Sequence, residues 1–173
     1  MDLLVPQLLA MIRNADIPTV LRTSSISLLA DCVQTWPIAL LSYIQDLCFG
    51  LIDLLQVEAF AAKSVVQQKE AEGHSNEFVA TMDSDPTLKN SKIPALRRSA
   101  IHFLGSYIRE IIQLIHNDKI LDAEIMVPMS LVQKASITLD YISSTDDDGR
   151  VKVMAKEVKE DLGDLQRALL GLS

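Results

Sequence analysis

Histidines are the side chains most able to bind a metal ion or to transfer a proton near neutral pH, and the chain has three, His74, His102 and His116. None shares the spacing of a metal site with a second histidine or with a cysteine. His102 and His116 lie fourteen residues apart on one predicted helix, about four turns from each other, so they cannot bind the same ion. The sequence therefore predicts histidines on a surface or in a groove, and no metal site.

Serine and cysteine are the candidate nucleophiles. Ser24 and Ser25 lie in the segment TSSIS, but no GxSxG motif surrounds them, and we interpret them as residues that allow close helix packing. Cys32 and Cys48 lie in apolar helical patterns and are predicted to be buried free thiols of a reducing compartment, with a disulfide between them as the alternative. Glycine-rich phosphate-binding loops are absent as well. The sequence thus predicts no catalytic residue, no cofactor and no enzymatic activity.

Two adjacent cations, Arg97 and Arg98, are the strongest polar candidates for a binding site. In one interpretation Arg97 belongs to a stacking ladder, in which it pairs with an acidic residue of an adjacent repeat. In the other, both arginines contact a protein partner directly.

Acidic residues offer two further patterns. The run Asp146–Asp148 precedes a predicted helix, where negative charge favours the positive end of the helix dipole, so we predict a solvated turn and helix cap. Attraction of a basic partner is the alternative. Asp46 and Asp53 lie seven residues apart on one face of an apolar helix and are predicted to form its polar edge.

The segment 57–93 is predicted to be an insertion. Gly, Ser, Asn, Asp and Pro collect in it, as they do in loops. Its first part, Glu58–Glu70, contains good helix formers and either extends the preceding helix or forms a short one. In the remainder, Phe78 and Met82 are apolar residues in a polar setting, and three roles stay open for them: anchoring a protein partner, covering a groove, or belonging to a disordered loop.

Composition limits the class of protein. The chain has 173 residues, of which 49% are hydrophobic and 23% charged, typical of a single soluble globular domain over residues 1–173. Sixteen Lys and Arg against 23 Asp and Glu give a net charge of −7, which disfavours direct nucleic-acid binding. The stretch Pro37–Val57 is long enough to span a membrane, but its polar edge indicates a helix buried in the protein, so no membrane span is predicted. The N-terminal stretch lacks the basic region of a signal peptide.

Helical periodicity runs through nearly the whole chain, and no alternating strand pattern occurs. The predicted helices are 3–14, 18–35, 37–56, 94–116, 128–143 and 148–170. The helix at 18–35 is predicted to bury Leu21, Ile26, Leu28, Leu29 and Val33.

An internal repeat organises these helices. An offset of 75 residues places Arg22 on Arg97 and Ala30 on Gly105, and a proline introduces each copy. The small residues Ala30 and Gly105 are predicted to let a neighbouring helix approach closely. Without an insertion of about 35 residues the offset becomes about 40, within the range of HEAT and armadillo repeats. We therefore predict an all-α fold, a fragment of a HEAT- or armadillo-type α-solenoid of about three helical pairs, with a six-helix globular bundle as the alternative.

Three segments resemble the C-terminal HEAT-repeat region of a nuclear-transport family: PTVLRTSSISLLADCVQ, PALRRSAIHFLGSYIREII and VKVMAKEVKEDLGDL. That family is the fungal factor required for nuclear transport of RNA polymerase II, related to the animal transport-and-Golgi-organisation proteins. The resemblance covers about Ile17 to Leu165, and the insertion after Gln56 departs from the family pattern.

The resemblance implies a non-enzymatic adaptor that moves between cytoplasm and nucleus. Its implied partners are RNA polymerase II subunits, import receptors or a chaperone complex. It also implies that the chain is the C-terminal part of a longer protein, with its first helix covered by a preceding repeat. Two alternatives are kept: a transport or coat adaptor at Golgi membranes, and a helical-bundle enzyme, which requires a pocket with perturbed acids or histidines.

Overall fold

The computed structural model describes residues 3–71, 94–117 and 127–171. Within these ranges the regular structure is entirely helical, which confirms the all-α prediction. The helices are α1 (Leu4–Arg13), α2 (Thr19–Thr35), α3 (Pro37–Leu40), α4 (Ile44–Ala71), α5 (Pro94–His116), α6 (Met129–Thr145) and α7 (Gly149–Leu169), and a 3₁₀ turn, Leu41–Tyr43, joins α3 to α4.

Three helices begin at or directly after the prolines that predicted their N-termini. Pro18 and Pro128 directly precede α2 and α6, and Pro94 opens α5, since proline has a helical φ and needs no partner for an N–H. The helix predicted at 37–56 differs, because the 3₁₀ turn divides it into α3 and α4.

The beginning of the predicted insertion requires a correction. Helix α4 continues without interruption from Ile44 to Ala71, so 57–71 is helix and not loop. This is the alternative in which Glu58–Glu70 extends the preceding helix. The rest of the predicted insertion, with Phe78 and Met82, lies outside the described residues.

The helices pack in a regular order. Helix α5 packs most extensively against α7 and α2, and α7 also packs closely against α6. Helix α4 contacts α1, α5 and α6, while α1 packs mainly against α2. Helices α2, α5 and α7 are therefore successive neighbours, as are α1, α4 and α6, and the pairs α1–α2, α4–α5 and α6–α7 connect the two rows.

One apolar core runs between these rows. Helix α4 contributes Leu47, Leu51 and Leu55, and α5 contributes Leu96 and Phe103, all with no exposed surface. At Gly105 an added Cβ would lie 2.8 Å from Val158 Cγ2, so glycine is what allows α5 and α7 to approach this closely. The predicted role of Gly105 is thereby confirmed.

The apolar segment that raised the question of a membrane span is Pro37–Ala59. Its length and composition, with a mean hydropathy of 1.7, would suffice to cross a bilayer, and it is the one helical stretch in the described part of the chain that meets this test. Half of its most apolar window is buried inside the protein. Asp46 and Asp53 are both exposed, as predicted for a polar edge.

The predicted apolar face of α2 is partly wrong. Ile26, Leu29 and Val33 are buried, but Leu21 and Leu28 are 49% and 45% exposed. Helix α5 lies between α2 and α7, whereas α2 has α5 as its one row neighbour among the described helices. None of the described helices therefore covers the outer side of α2.

Candidate partner-binding site

Arg97, in the first turn of α5, lies inside the protein with 1% of its surface exposed. Its Nε is 2.8 Å from Asp146 Oδ2, and its Nη2 donates to Asp146 Oδ1 at 3.1 Å. The same Nη2 donates to Asp147 Oδ1 at 3.0 Å. One hydrogen bond, from Nη2, and one close ion-pair contact, from Nε, thus join this guanidinium to a buried carboxylate, and hydrogen bonds between charged groups are stronger than neutral ones. In this structure Arg97 therefore joins α5 to the turn between α6 and α7, as the pairing interpretation predicts, and its guanidinium is not on the surface.

The three aspartates of the run Asp146–Asp148 have three different environments. Asp148 caps α7, since its carboxylate accepts the Val151 N–H at 2.9 Å, and this bond holds the pKa of Asp148 below its ordinary value. The predicted cap is thus confirmed. Asp147 is exposed, but Asp146 is 6% exposed, which corrects the prediction of a fully solvated turn. The Asp146 carboxylate accepts one hydrogen bond from the Arg97 guanidinium and another from the Asp148 N–H, and these bonds compensate for the cost of burying its charge.

Arg22, the repeat counterpart of Arg97, is also buried. Its Nε donates to the Ile12 carbonyl at 2.9 Å, and its Nη1 lies 4.0 Å from Glu58 Oε1. Each repeated arginine thus has an acidic partner on another segment, but the Arg22 pair is the looser of the two.

Burial dominates the electrostatics of the looser pair. It raises the pKa of Glu58, and the charges of Arg22 and Arg97 offset this only in part. It also lowers the pKa of Arg22 despite the attraction of Glu58. Both shifts favour the uncharged forms, so desolvation exceeds the attraction across 4.0 Å.

We expect the substitution Glu58→Gln to flatten part of the pH dependence of stability. Because the pKa of Glu58 in the folded protein lies above its ordinary 4.5, its contribution is fully present below pH 4.5 and is lost as the pH rises through the folded-state pKa. The variant should therefore lose less stability than the wild type between pH 4 and pH 7, as measured by urea unfolding. The exposed Glu157→Gln is the control, and parallel curves for wild type and Glu58→Gln would contradict the expectation.

Arg98 lies beside Arg97 but points to a groove of about 340 Å³ on the α2–α5–α7 row. The residues that line it are Ser27, Ala95, Arg98, Ser99, His102, Arg150 and Met154. The described lining combines cationic, imidazole and hydroxyl groups with the apolar side chains of Ala95 and Met154, and it contains no carboxylate. We call it the Arg98 groove.

A second groove, of about 480 Å³, lies farther along α5 and α7. Its cations are paired: Arg109 with Asp161 at 2.6 Å and Arg167 with Asp164. Its charges therefore balance, unlike those of the Arg98 groove.

Among the described reactive side chains, His102 lines the Arg98 groove and His116 lines the second groove, whereas the cysteines lie elsewhere. Cys32 and Cys48 are free and buried, as predicted, and burial raises the pKa of both thiols. Cys48 and Tyr107 border an apolar cavity of only about 20 Å³, room for about one water molecule. His102 and His116 are exposed on α5, and His74 lies outside the described residues. In the part of the chain that the structure describes, no three His, Cys, Asp or Glu side chains are placed to hold a metal ion.

Sequence reasoning singled out Arg98 but missed Ser27, Arg150 and Met154. These residues come from α2 and α7 and meet Arg98 only through helix packing. The one local signal was Arg150, a cation two residues after the Asp148 cap of α7.

Comparisons with family models, with curated proteins and with solved structures find no match in any of the three.

Proposed function

We propose that the chain is a non-enzymatic protein-binding scaffold of HEAT- or armadillo-type helical pairs. The observation that carries this proposal is the equivalence of Arg22 and Arg97. These arginines are 75 residues apart in the sequence, each is buried, and each joins its helix to an acidic residue of another segment.

The order of helices supports the solenoid form of this proposal. In a helical-repeat array one helix of every pair lies in each of two rows, and each pair contacts the next pair. The rows α1–α4–α6 and α2–α5–α7, with α1–α2, α4–α5 and α6–α7 as the pairs, follow this order. A six-helix bundle around one central axis does not require two such rows.

The α2–α5–α7 row is the surface we assign to partner binding, because both grooves lie on it. Scaffolds of this kind bind through extended surfaces by shape and charge complementarity. The partners that we propose are those implied by the resemblance to the nuclear-transport family: RNA polymerase II subunits, import receptors or a chaperone complex. The chain would bind them in the cytoplasm and the nucleus.

The test is affinity capture from nuclear and cytosolic extracts with the full chain, followed by mass spectrometry. A deletion of Ala71–Lys92 in parallel shows whether the predicted partner residues Phe78 and Met82 take part. Enrichment of RNA polymerase II subunits or import receptors supports the proposal. Enrichment of vesicle-coat components instead would favour the Golgi adaptor, and turnover of a small molecule by the pure chain would favour the enzyme.

A further inference from the structure

Arg98 and Arg150 differ from the other arginines in the described residues, because neither forms an ion pair with a described carboxylate. Carboxylates lie within 4.0 Å of Arg22, Arg97, Arg109 and Arg167, and Arg13 donates to the Asp46 carbonyl. Neither Arg98 nor Arg150 has such an ion pair among the described residues, and both line the Arg98 groove.

The charge of the Arg98 groove is opposite in sign to the net charge of the protein. The chain carries a net charge of −7, yet the described lining of this groove has two arginines and no acidic side chain. Arg98 interacts electrostatically with Asp148, whose carboxylate lies outside the lining and accepts the Val151 N–H. Within the described lining the two arginines therefore have no acidic side chain beside them.

The other lining groups suit an extended peptide. Ser27 and Ser99 offer hydroxyls that donate or accept hydrogen bonds, and the His102 ring adds nitrogens that do the same. Ala95 and Met154 add apolar surface that can contact the aliphatic part of a side chain, and methionine adapts to different shapes. Arginine forks match the two oxygens of a carboxylate.

We propose that the Arg98 groove binds an acidic peptide segment of a partner protein, with Arg98 and Arg150 each pairing with a carboxylate. This inference rests on the proposed scaffold function and names the chemistry of its partner. It also gives Arg98 the direct binding role that the sequence left open, whereas Arg97 holds the fold behind it.

The test uses a fluorescein-labelled decaglutamate peptide and fluorescence anisotropy with the full chain at 50 mM and 300 mM NaCl. We expect binding at low salt that weakens at high salt, because exposed charges are screened. The double substitution Arg98→Ala and Arg150→Ala should raise Kd about tenfold. A Gly/Ser peptide of the same length should not bind.

The matched control is Lys152→Ala with Lys156→Ala, which removes the same amount of charge from α7 outside the groove. It should change Kd less than about twofold. Circular dichroism and urea unfolding of both variants show whether they fold, and Arg98→Lys with Arg150→Lys, which keeps the charge, should recover part of the affinity.

Four results would overturn the inference. They are no decaglutamate binding, an equal loss in the groove and control variants, tighter binding of a fluorescein-labelled oligothymidine through the same arginines, and a dimer of the chain that the arginine substitutions dissociate. The last two identify a nucleic acid or a second copy as the occupant.

The outcome can be separated from that of the proposed function. If polymerase subunits are captured equally by wild type and by the arginine double variant, the scaffold stands and the groove assignment fails. If decaglutamate binds through the arginines but extracts yield no protein partner, the groove stands and the proposed partners fail.

Discussion

Replacing Arg97 with alanine should lower the free energy of unfolding by about 3–5 kcal/mol, because it leaves a buried carboxylate without its cation. The Asp146 side chain is 2% exposed, and after the substitution it would keep the Asp148 N–H as its remaining donor described here. Asp147 is largely exposed, so losing its contact adds little. Urea unfolding followed by circular dichroism at 222 nm measures the change.

The control is Arg109→Ala on the same helix. Its ion pair with Asp161 is shorter, at 2.6 Å, but Arg109 is 50% exposed, so the expected cost is at most about 1 kcal/mol. A second variant, Arg97→Met with Asp146→Leu, removes both charges and should recover much of the stability. If Arg97→Ala costs no more than Arg109→Ala, the pair does not hold α5 to the α6–α7 turn.

The second large effect is expected at Phe103. The side chain is completely buried in the core, so Phe103→Ala should cost about 3–5 kcal/mol from lost apolar burial and the cavity left behind. Urea unfolding is again the measurement, and an unchanged m-value would show that the unfolded state is not altered.

The repeat supplies the control for this prediction. Leu28 holds the equivalent position on α2 but is 45% exposed, so Leu28→Ala should cost less than about 1 kcal/mol. Equal costs at Phe103 and Leu28 would contradict the placement of α5 between α2 and α7.

The contrast between Leu28 and Phe103 also shows where prediction from the sequence stops. The periodicity of α2 correctly predicted a helix, and Ile26 and Val33 are buried as expected. Whether a given apolar face is covered depends on which helix packs beside it, and one sequence does not contain that information. Leu21 was misplaced for the same reason.

Helix ends were predictable because their signals are local. Proline fixes the first turn and an aspartate caps it, as at Pro94 and Asp148. The extension of α4 to Ala71 was less clear, since helix formers continue past the point where the apolar pattern weakens.

The candidate site was half predictable. Two adjacent arginines could be identified from the sequence, but it could not be predicted that the Arg97 side chain is buried and that the Arg98 side chain lines a groove. The burial of Asp146 was missed because three consecutive aspartates are typical of a solvated turn. Phe78 and Met82 stay predictions.

The proposal of greatest consequence is that the chain binds a protein partner through the Arg98 groove, on the α2–α5–α7 row. Its most direct test is equilibrium binding of purified RNA polymerase II to three forms of the full chain: wild type, Arg98→Ala with Arg150→Ala, and Lys152→Ala with Lys156→Ala. We predict saturable binding of the wild type and the lysine variant, and about tenfold weaker binding of the arginine variant. No binding of the folded wild type at micromolar concentrations would contradict the proposed partner, and equal binding of all three would contradict the Arg98 groove as the binding site.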